Sequence, residues 1–292
     1  MQEQHSFISN NDKGILYLVP TPIGNLEDMT YRAIRTLKEV DLIAAENPGH
    51  TQQLLNRFEI DTKKISFRED NKEYRIDELI EDLNNGMNVA QVSDAGMPSI
   101  SDPGQELVSA CVKNNINVVP LPGANAGITA LIASGLLPQP FYFYGFLNRK
   151  KSEQLDELKK LNLHSETLIF YEAPHRLAKT LKNMKSVFGE NRLAVLCREL
   201  TKKFEEFDRG TLAELLEWAN SNQVRGEFVV IVQGNSHADE ESDKNDELSG
   251  LSIKDQVEVF IKKGMKTNAA IKEVAKLHNV KKQEIYNIYH EI

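Results

Sequence analysis

Four short segments concentrate the residue types that chemistry requires. The first, Pro20-Thr-Pro-Ile-Gly-Asn25, ends the apolar run Ile15–Val19. Its prolines and glycine stop any regular element, and ligands on open parallel sheets bind beyond the carboxyl ends of strands. No Gly-x-Gly-x-x-Gly accompanies it, so the usual dinucleotide fingerprint is absent. The second, Ser93-Asp-Ala-Gly-Met-Pro-Ser-Ile-Ser-Asp-Pro-Gly104, bares backbone amides and carbonyls and carries two carboxylates. An acid at a strand end suits hydrogen bonding to hydroxyl or amino groups. Asp94 is read that way, whereas Asp102 reads more readily as the N-cap of the helix after it. The third, Pro122-Gly-Ala-Asn-Ala126, opens a helix of small residues. These allow either a bulky ligand group or a neighbouring sheet to approach the backbone closely. The fourth, Tyr171-Glu-Ala-Pro-His-Arg176, ends another apolar run; Cys197-Arg-Glu-Leu-Thr-Lys-Lys203 and Arg225-Gly-Glu-Phe228 are of similar type. Alone, His175 reads as a capping or packing residue and Arg176 as a surface charge. Their company of acid, aromatic and guanidinium points to a site.

The elements that position these segments alternate. Strands are expected at 15–19, 41–45, 64–67, 88–92 and 117–121. Helices are expected at 29–40, 51–57, 72–85, 104–113 and 124–134. Such alternation implies a mostly parallel sheet covered on both faces. A second block places strands at 141–144, 167–171, 193–196 and 228–232, with helices at 153–161, 176–188 and 212–220. An additional strand over 201–208 would make this sheet mixed. Residues 236–250 hold six acids against Lys244 and no large apolar residue before Leu248, which reads as a solvated linker. From Leu251 on, Val257, Phe260, Ile261, Ile271, Val274, Ala275, Ile285 and Ile288 support two or three short amphipathic helices. Eight lysines face five acids there, which reads as a solvated helix face or as a helix-turn-helix-like RNA contact. The expected division is therefore 14–135, 136–235, the linker 236–250, and a small basic helical domain 251–292.

Composition limits the functions available. A net charge of -8 and a pI near 5.5 argue against a protein that coats nucleic acid by bulk positive charge. A local basic surface remains compatible with that balance. Cys111 and Cys197, each inside an apolar stretch, read as small buried residues, and two cysteines so far apart form no zinc-type spacing. No metal is expected. The polar stretch Met1–Gly14 lacks the apolar core of a signal peptide, and no run approaches the ~18 apolar residues of a membrane span. A cytoplasmic protein without a membrane partner is the expectation.

The succession VPTPIGNL, SDAGMPSISDPG, PGANAG, FYEAPHR, RELTKKFEE and GEFVVIV resembles the tetrapyrrole methylase superfamily over Leu16–Gly234. Within it the chain resembles the branch that acts on small-subunit ribosomal RNA, and its lysine-rich tail resembles the small C-terminal domain of that branch. The resemblance implies two α/β domains with S-adenosylmethionine in the cleft between them, and a homodimer. It also implies 2′-O-methylation of a cytidine in the decoding region of 16S rRNA, with 16S rRNA or the 30S subunit as partner. Carried over motif by motif, Asp94, Met97, Asn125 and Ala126 face the cofactor, with Pro22 near it, and Tyr171, Gly226, Glu227 and Phe228 close the site.

A ribose hydroxyl is a weak nucleophile and needs a proton acceptor. Glu172, His175, Glu199 and Glu46 are candidates, and Arg176, Arg198, Lys202 and Lys203 can hold phosphates. The group Glu172, His175 and Arg176 is favoured, with the base left open among them. One departure stands out: the family's Glu-Asp-Thr-Arg is replaced by Glu46-Asn-Pro-Gly49, read here as a turn. Met97 stands where the family commonly has Thr. Two other readings are an enzyme of the same superfamily acting on a tetrapyrrole or a protein residue, and a ribosome-binding factor without turnover.

Overall fold

The computed structural model describes residues 1–6, 13–236, 238, 251–278 and 280–291. The acidic linker expected at 236–250 lies outside the described residues except at 236 and 238. The chain divides into two compact units, Met1–Leu158 with Glu166–Gln233, and Lys159–Ser165 with Gly234–Ile292.

The first unit holds two five-stranded sheets. Strands β1 (Ile15–Leu18), β2 (Leu42–Ala45), β3 (Lys64–Ser66), β4 (Val89–Val92) and β5 (Asn117–Pro120) form one, in the order β3-β2-β4-β1-β5. Every pairing in it is parallel. Helices α1 (Tyr31–Glu39), α2 (Pro48–Arg57), α3 (Lys72–Asn84) and α4 (Gln105–Lys113) cover it. Leu37 and Leu55 pack with Val19 and Ile43 on one face. Leu79, Leu83, Leu107 and Cys111 pack with Leu16 and Leu42 on the other. Burial on both faces explains why these strands read as continuous apolar runs.

Strands β6 (Phe141–Phe146), β7 (Thr167–Glu172), β8 (Leu193–Arg198), β9 (Glu206–Thr211) and β10 (Phe228–Val232) form the second sheet, in the order β6-β7-β10-β8-β9. Only β6 and β7 run parallel; the other pairs are antiparallel, so the sheet is mixed. The extra strand begins at Glu206, later than the expected 201. Glu199 and Thr201 take positive φ of 50° and 67°, and Lys202 N–H donates to the Glu199 carbonyl at 3.0 Å, so the chain turns before it extends. Helices α6 (Lys151–Leu161), α7 (Leu177–Phe188) and α8 (Leu212–Ser221) accompany this block.

The small-residue helix α5 (Ala126–Ser134), grouped by sequence with the first sheet, packs Ala130 and Leu131 against Ile169, Val195, Val229 and Ile231 of the second. An added Cβ at Gly127 would approach Ile169 and Phe143 to 3.3 Å, so close helix–sheet packing is realised here.

In the second unit, α9 (Ile253–Lys262), α10 (Thr267–Leu277) and α11 (Lys282–His290) enclose Val257, Ala270, Ile271, Val274, Ala275 and Ile285. Among the described residues no helix is long and apolar enough to cross a membrane. Both cysteines are buried thiols, pushed up to about 12 by desolvation.

Candidate active site

Parallel pairing of β1 with β4 and β5 brings the three loops that follow these strands to one sheet edge. The first two are tied together: Thr21 and Gly96 exchange backbone hydrogen bonds of 3.0 Å in each direction. Gly96 has φ +77°, a conformation that favours glycine. Beyond these loops lies an apolar cavity of about 390 Å³. Ile23, Met97, Ile100 and Ala126 line it from the first three loops, and Phe146, Tyr171 and Phe228 from β6, β7 and β10. That volume lies in the range of small-molecule sites.

Most expected cofactor residues gather here. Asn125 caps α5 through Oδ1, which accepts from Ile128 N at 2.9 Å, while its Nδ2 donates to Met97 Sδ at 3.9 Å. The Tyr171 hydroxyl accepts from Gly127 N at 3.2 Å, and its ring stands edge-on to Phe143 and Phe146. Burial raises the Tyr171 phenol, so it stays protonated. Gly226 has φ +89°, and a Cβ there would fall 2.6 Å from Glu199 Cγ. That conformation delivers Glu227, whose N–H donates to Glu199 Oε1 at 3.0 Å and whose carboxylate meets Lys202 Nζ at 2.8 Å.

Pro22 and Asp94 line a neighbouring cavity of about 400 Å³ with His50, Thr51 and Lys202. Asp94 N donates to Glu46 Oε2 at 3.0 Å. Its Oδ1 is buried and, among the described residues, without a hydrogen-bond partner, with His50 Nδ1 3.7 Å away. An orphaned acceptor beside an apolar cavity fits a ligand that carries both amino groups and a planar ring.

Glu172 and Arg176 come together, but they hold each other. The Glu172 side chain is 1% exposed; it accepts from Thr180 Oγ1 at 2.5 Å and Ala173 N at 2.8 Å, with Arg176 Nε at 3.2 Å. Arg176 Nη2 donates to the Leu147 and Asn148 carbonyls at 2.7 and 3.3 Å. Glu172 lines the apolar cavity, whereas His175 is exposed and not among its lining residues. Other cations expected at phosphates are also engaged. Arg198 binds Glu206 and the Arg225 carbonyl, and Lys202 binds Glu199 and Glu227. Lys203 is exposed, its ammonium 5.6 Å from the Phe204 ring centroid.

Two sequence readings change. Asn47-Pro48-Gly49 is no free turn but the start of α2: Asn47 is the N-cap, accepting from Gly49 N and His50 N, and Pro48 occupies the first turn. Proline favours that position because its missing N–H leaves no bond unmade. Asp102 is not the N-cap of α4. Gly104 holds that position with φ +149°, and no side chain caps the helix. Ile23, Ile100, Leu200 and Phe146 carry no assigned role in the sequence reading, although the first three lie within the marked motifs and Phe146 ends a strand.

The family model of Tetrapyrrole (Corrin/Porphyrin) Methylases matches residues 15–216. The chain is 53% identical over 291 residues to a protein of Bacillus subtilis named Ribosomal RNA small subunit methyltransferase I, covering 99% of each. It is 52% identical, over 100% of each chain, to the protein of that name from Halalkalibacterium halodurans. Among solved structures it resembles cobalt precorrin-4 methyltransferase, with TM-score 0.59 and 15% identity over 78% of this chain and 98% of that one. Uroporphyrin-III C-methyl transferase from Thermus thermophilus, complexed with S-adenyl homocysteine, gives TM-score 0.54 and 19% identity over 75% and 97%. At these identities the structures establish a shared fold.

Proposed function

The chain belongs to the tetrapyrrole methylases, in the branch of the ribosomal RNA small subunit methyltransferases I, and from that premise we propose that it methylates the 2′-hydroxyl of a cytidine in the decoding region of 16S rRNA, using S-adenosylmethionine. The observation that carries the cofactor reading is the apolar cavity walled by Met97, Asn125, Ala126, Tyr171, Glu227 and Phe228. Those residues would hold the cofactor, which when bound would supply a sulfonium-activated methyl group as electrophile. The protein's own contribution is positional. Apolar walls exclude water, and the loops after β1, β4 and β5 would hold the cofactor's polar groups. Glu172 and Arg176 act as a support that fixes the end of β7, and Tyr171 with it.

The 2′-hydroxyl reading rests on kinship with rRNA methyltransferases, and the lysine-bearing helices α9–α11 supply the basic surface such a substrate requires. A second copy is expected on the face where Ile128 and Ile132 of α5 and Leu137 stand exposed. The test compares the full chain with one ending at residue 250. Both should bind cofactor alike by calorimetry. The full chain should methylate 30S subunits, and the shortened one should bind them more weakly with a flatter salt dependence. An unchanged salt slope would remove the basic helices from the substrate contact.

The departure at 47–49 is compatible with turnover. Restoring Asp-Thr-Arg keeps a strong N-cap at 47, and a Cβ at 49 meets only Asn47 Oδ1, at 3.4 Å. The triple substitution should tighten 30S binding or raise kcat while leaving cofactor affinity within about threefold. Activity that appears only in the restored protein would favour a ribosome-binding factor without turnover.

A further inference from the structure

A ribose within RNA is flanked by phosphates, and these must lie against the protein beside the cavity that holds the cofactor. The cations first expected to hold them are engaged: Arg176 by Glu172, Arg198 by Glu206, and Lys202 by Glu199 and Glu227. Cations without an ionic partner among the described residues follow the strand ends that line the same cavity. We propose that Arg149 and Lys151 after β6, with Lys179 and Lys182 on α7, form a phosphate-binding surface that seats the RNA strand beside the cavity. This rests on the reading that the substrate is RNA and that the apolar cavity holds the cofactor.

Topology brings the two pairs together. β6 and β7 are parallel neighbours with Phe146 opposite Tyr171, so the loops that follow them leave the same edge of the sheet. Both ends line the apolar cavity, through Phe146 on one side and Tyr171, Ala173 and Pro174 on the other. Arg176 ties the loops, donating from Nη2 to the Leu147 and Asn148 carbonyls at 2.7 and 3.3 Å. Deeper in, Gln154 of α6 is buried; it donates to Thr180 Oγ1 of α7 at 3.3 Å and accepts from Asn183 Nδ2. These buried polar contacts hold α6 against α7, with Lys151 and Lys179 each in a first turn.

Charge patterning sets this surface apart from an ordinary solvated one. Residues 173–189 carry Arg176 and three lysines with no acid, in a chain of net charge -8. A solvated helix face usually mixes signs so that neighbours three or four apart can pair; α7 offers no such partner. Its inner side is buried through Leu177, Leu181 and Met184, while Lys179 and Lys182, three residues apart, stand exposed. Arg149 and Lys151 are exposed as well. A cation in the first turn opposes the helix macrodipole, so helix stability does not account for Lys179. The acids nearest in sequence are already used. Glu153 pairs with Lys150 at 2.7 Å, Glu157 accepts from Asn148 N at 2.9 Å, and Glu190 pairs with Lys185 at 3.4 Å. A groove of about 450 Å³ continues the surface from Lys182 past Lys185 and Ser186, with Glu190 and Leu216 as its other walls.

The test measures binding of 30S subunits and of naked 16S rRNA by the full chain across salt concentrations, together with turnover on 30S subunits. Lys179→Gln with Lys182→Gln, and separately Arg149→Gln with Lys151→Gln, should each make the dependence of log affinity on log salt shallower by about 1 to 2. KM for 30S subunits should rise on the order of tenfold, while kcat and the calorimetric cofactor Kd stay within about threefold. Lys179→Arg with Lys182→Arg keeps the charge and should keep the wild-type slope. The control is Lys63→Gln with Lys113→Gln, two exposed lysines at the opposite ends of the first sheet's strands, before β3 and at the end of α4. It should change neither slope nor KM. Unchanged slopes in both test pairs overturn the assignment, and so does an equal loss in the control, which would mean bulk charge. Weaker binding of 30S subunits with naked rRNA unaffected also overturns it, because the surface then meets a ribosomal protein. A wild type that binds RNA with a slope the variants flatten, yet never methylates ribose, overturns the function reading and supports this surface. An active wild type whose variants bind and turn over as it does overturns this surface alone.

Discussion

Glu172→Ala should lower the unfolding free energy by about 3–5 kcal/mol, the usual cost of leaving a buried charge without its partner. The Arg176 side chain is 16% exposed and keeps two backbone acceptors, so it can neither reach water freely nor swing away. Thr180 and the Ala173 amide lose their acceptor in the same substitution. Urea unfolding of Glu172→Ala, Arg176→Ala and the double variant reads the coupling. Each single change should be costly, and the double should cost clearly less than the two together. A loss below about 1 kcal/mol for Glu172→Ala would mean that the pair is not a support. The remaining activity of a folded Glu172→Gln would then have to be explained by direct chemistry at the carboxylate.

Ala126→Phe should weaken S-adenosylmethionine binding by about a hundredfold or more, equivalent to roughly 2.7 kcal/mol. Ala126 begins α5 on the wall of the apolar cavity, facing the same space as Met97, Tyr171 and Phe228. A benzyl group there occupies volume the cofactor requires, and a close-packed wall does not yield cheaply. The measurement is calorimetry on the free protein, paired with thermal unfolding to establish that the variant is folded. Unchanged cofactor affinity in a folded Ala126→Phe protein would move the cofactor elsewhere, for instance to the cavity bounded by Pro22 and Asp94.

The two sheets were legible because most of their strands are apolar runs cut by proline and glycine, whereas the polar β9, Glu206–Thr211, was placed too early. The expected strand at 228–232 coincides with β10, whose every residue is buried. Local chemistry misled where one signal had two outlets. Pro48-Gly49 reads as a turn, yet proline is equally at home in the first turn of a helix, and Asn47 supplied the cap. Asp102 reads as a cap, yet Gly104 stands two residues later in a conformation that only glycine adopts readily. The small residues of α5 carry no label for the sheet they meet, and they meet the second. A polar cavity of about 730 Å³ was invisible in the sequence because Glu46, Arg68 and Asp102, which line it, come from the loops after three separate strands that only the β3-β2-β4 order makes neighbours.

The central claim is that the acceptor is the 2′-oxygen of one cytidine in 16S rRNA. Its most direct measurement incubates 30S subunits lacking this modification with the full chain and methyl-labelled S-adenosylmethionine, then digests the RNA to nucleosides for mass spectrometry. The account predicts label in 2′-O-methylcytidine, at about one per subunit, located in a fragment of the decoding region. Label on a base, on ribosomal protein, or on no ribosomal component while the cofactor still binds would contradict it.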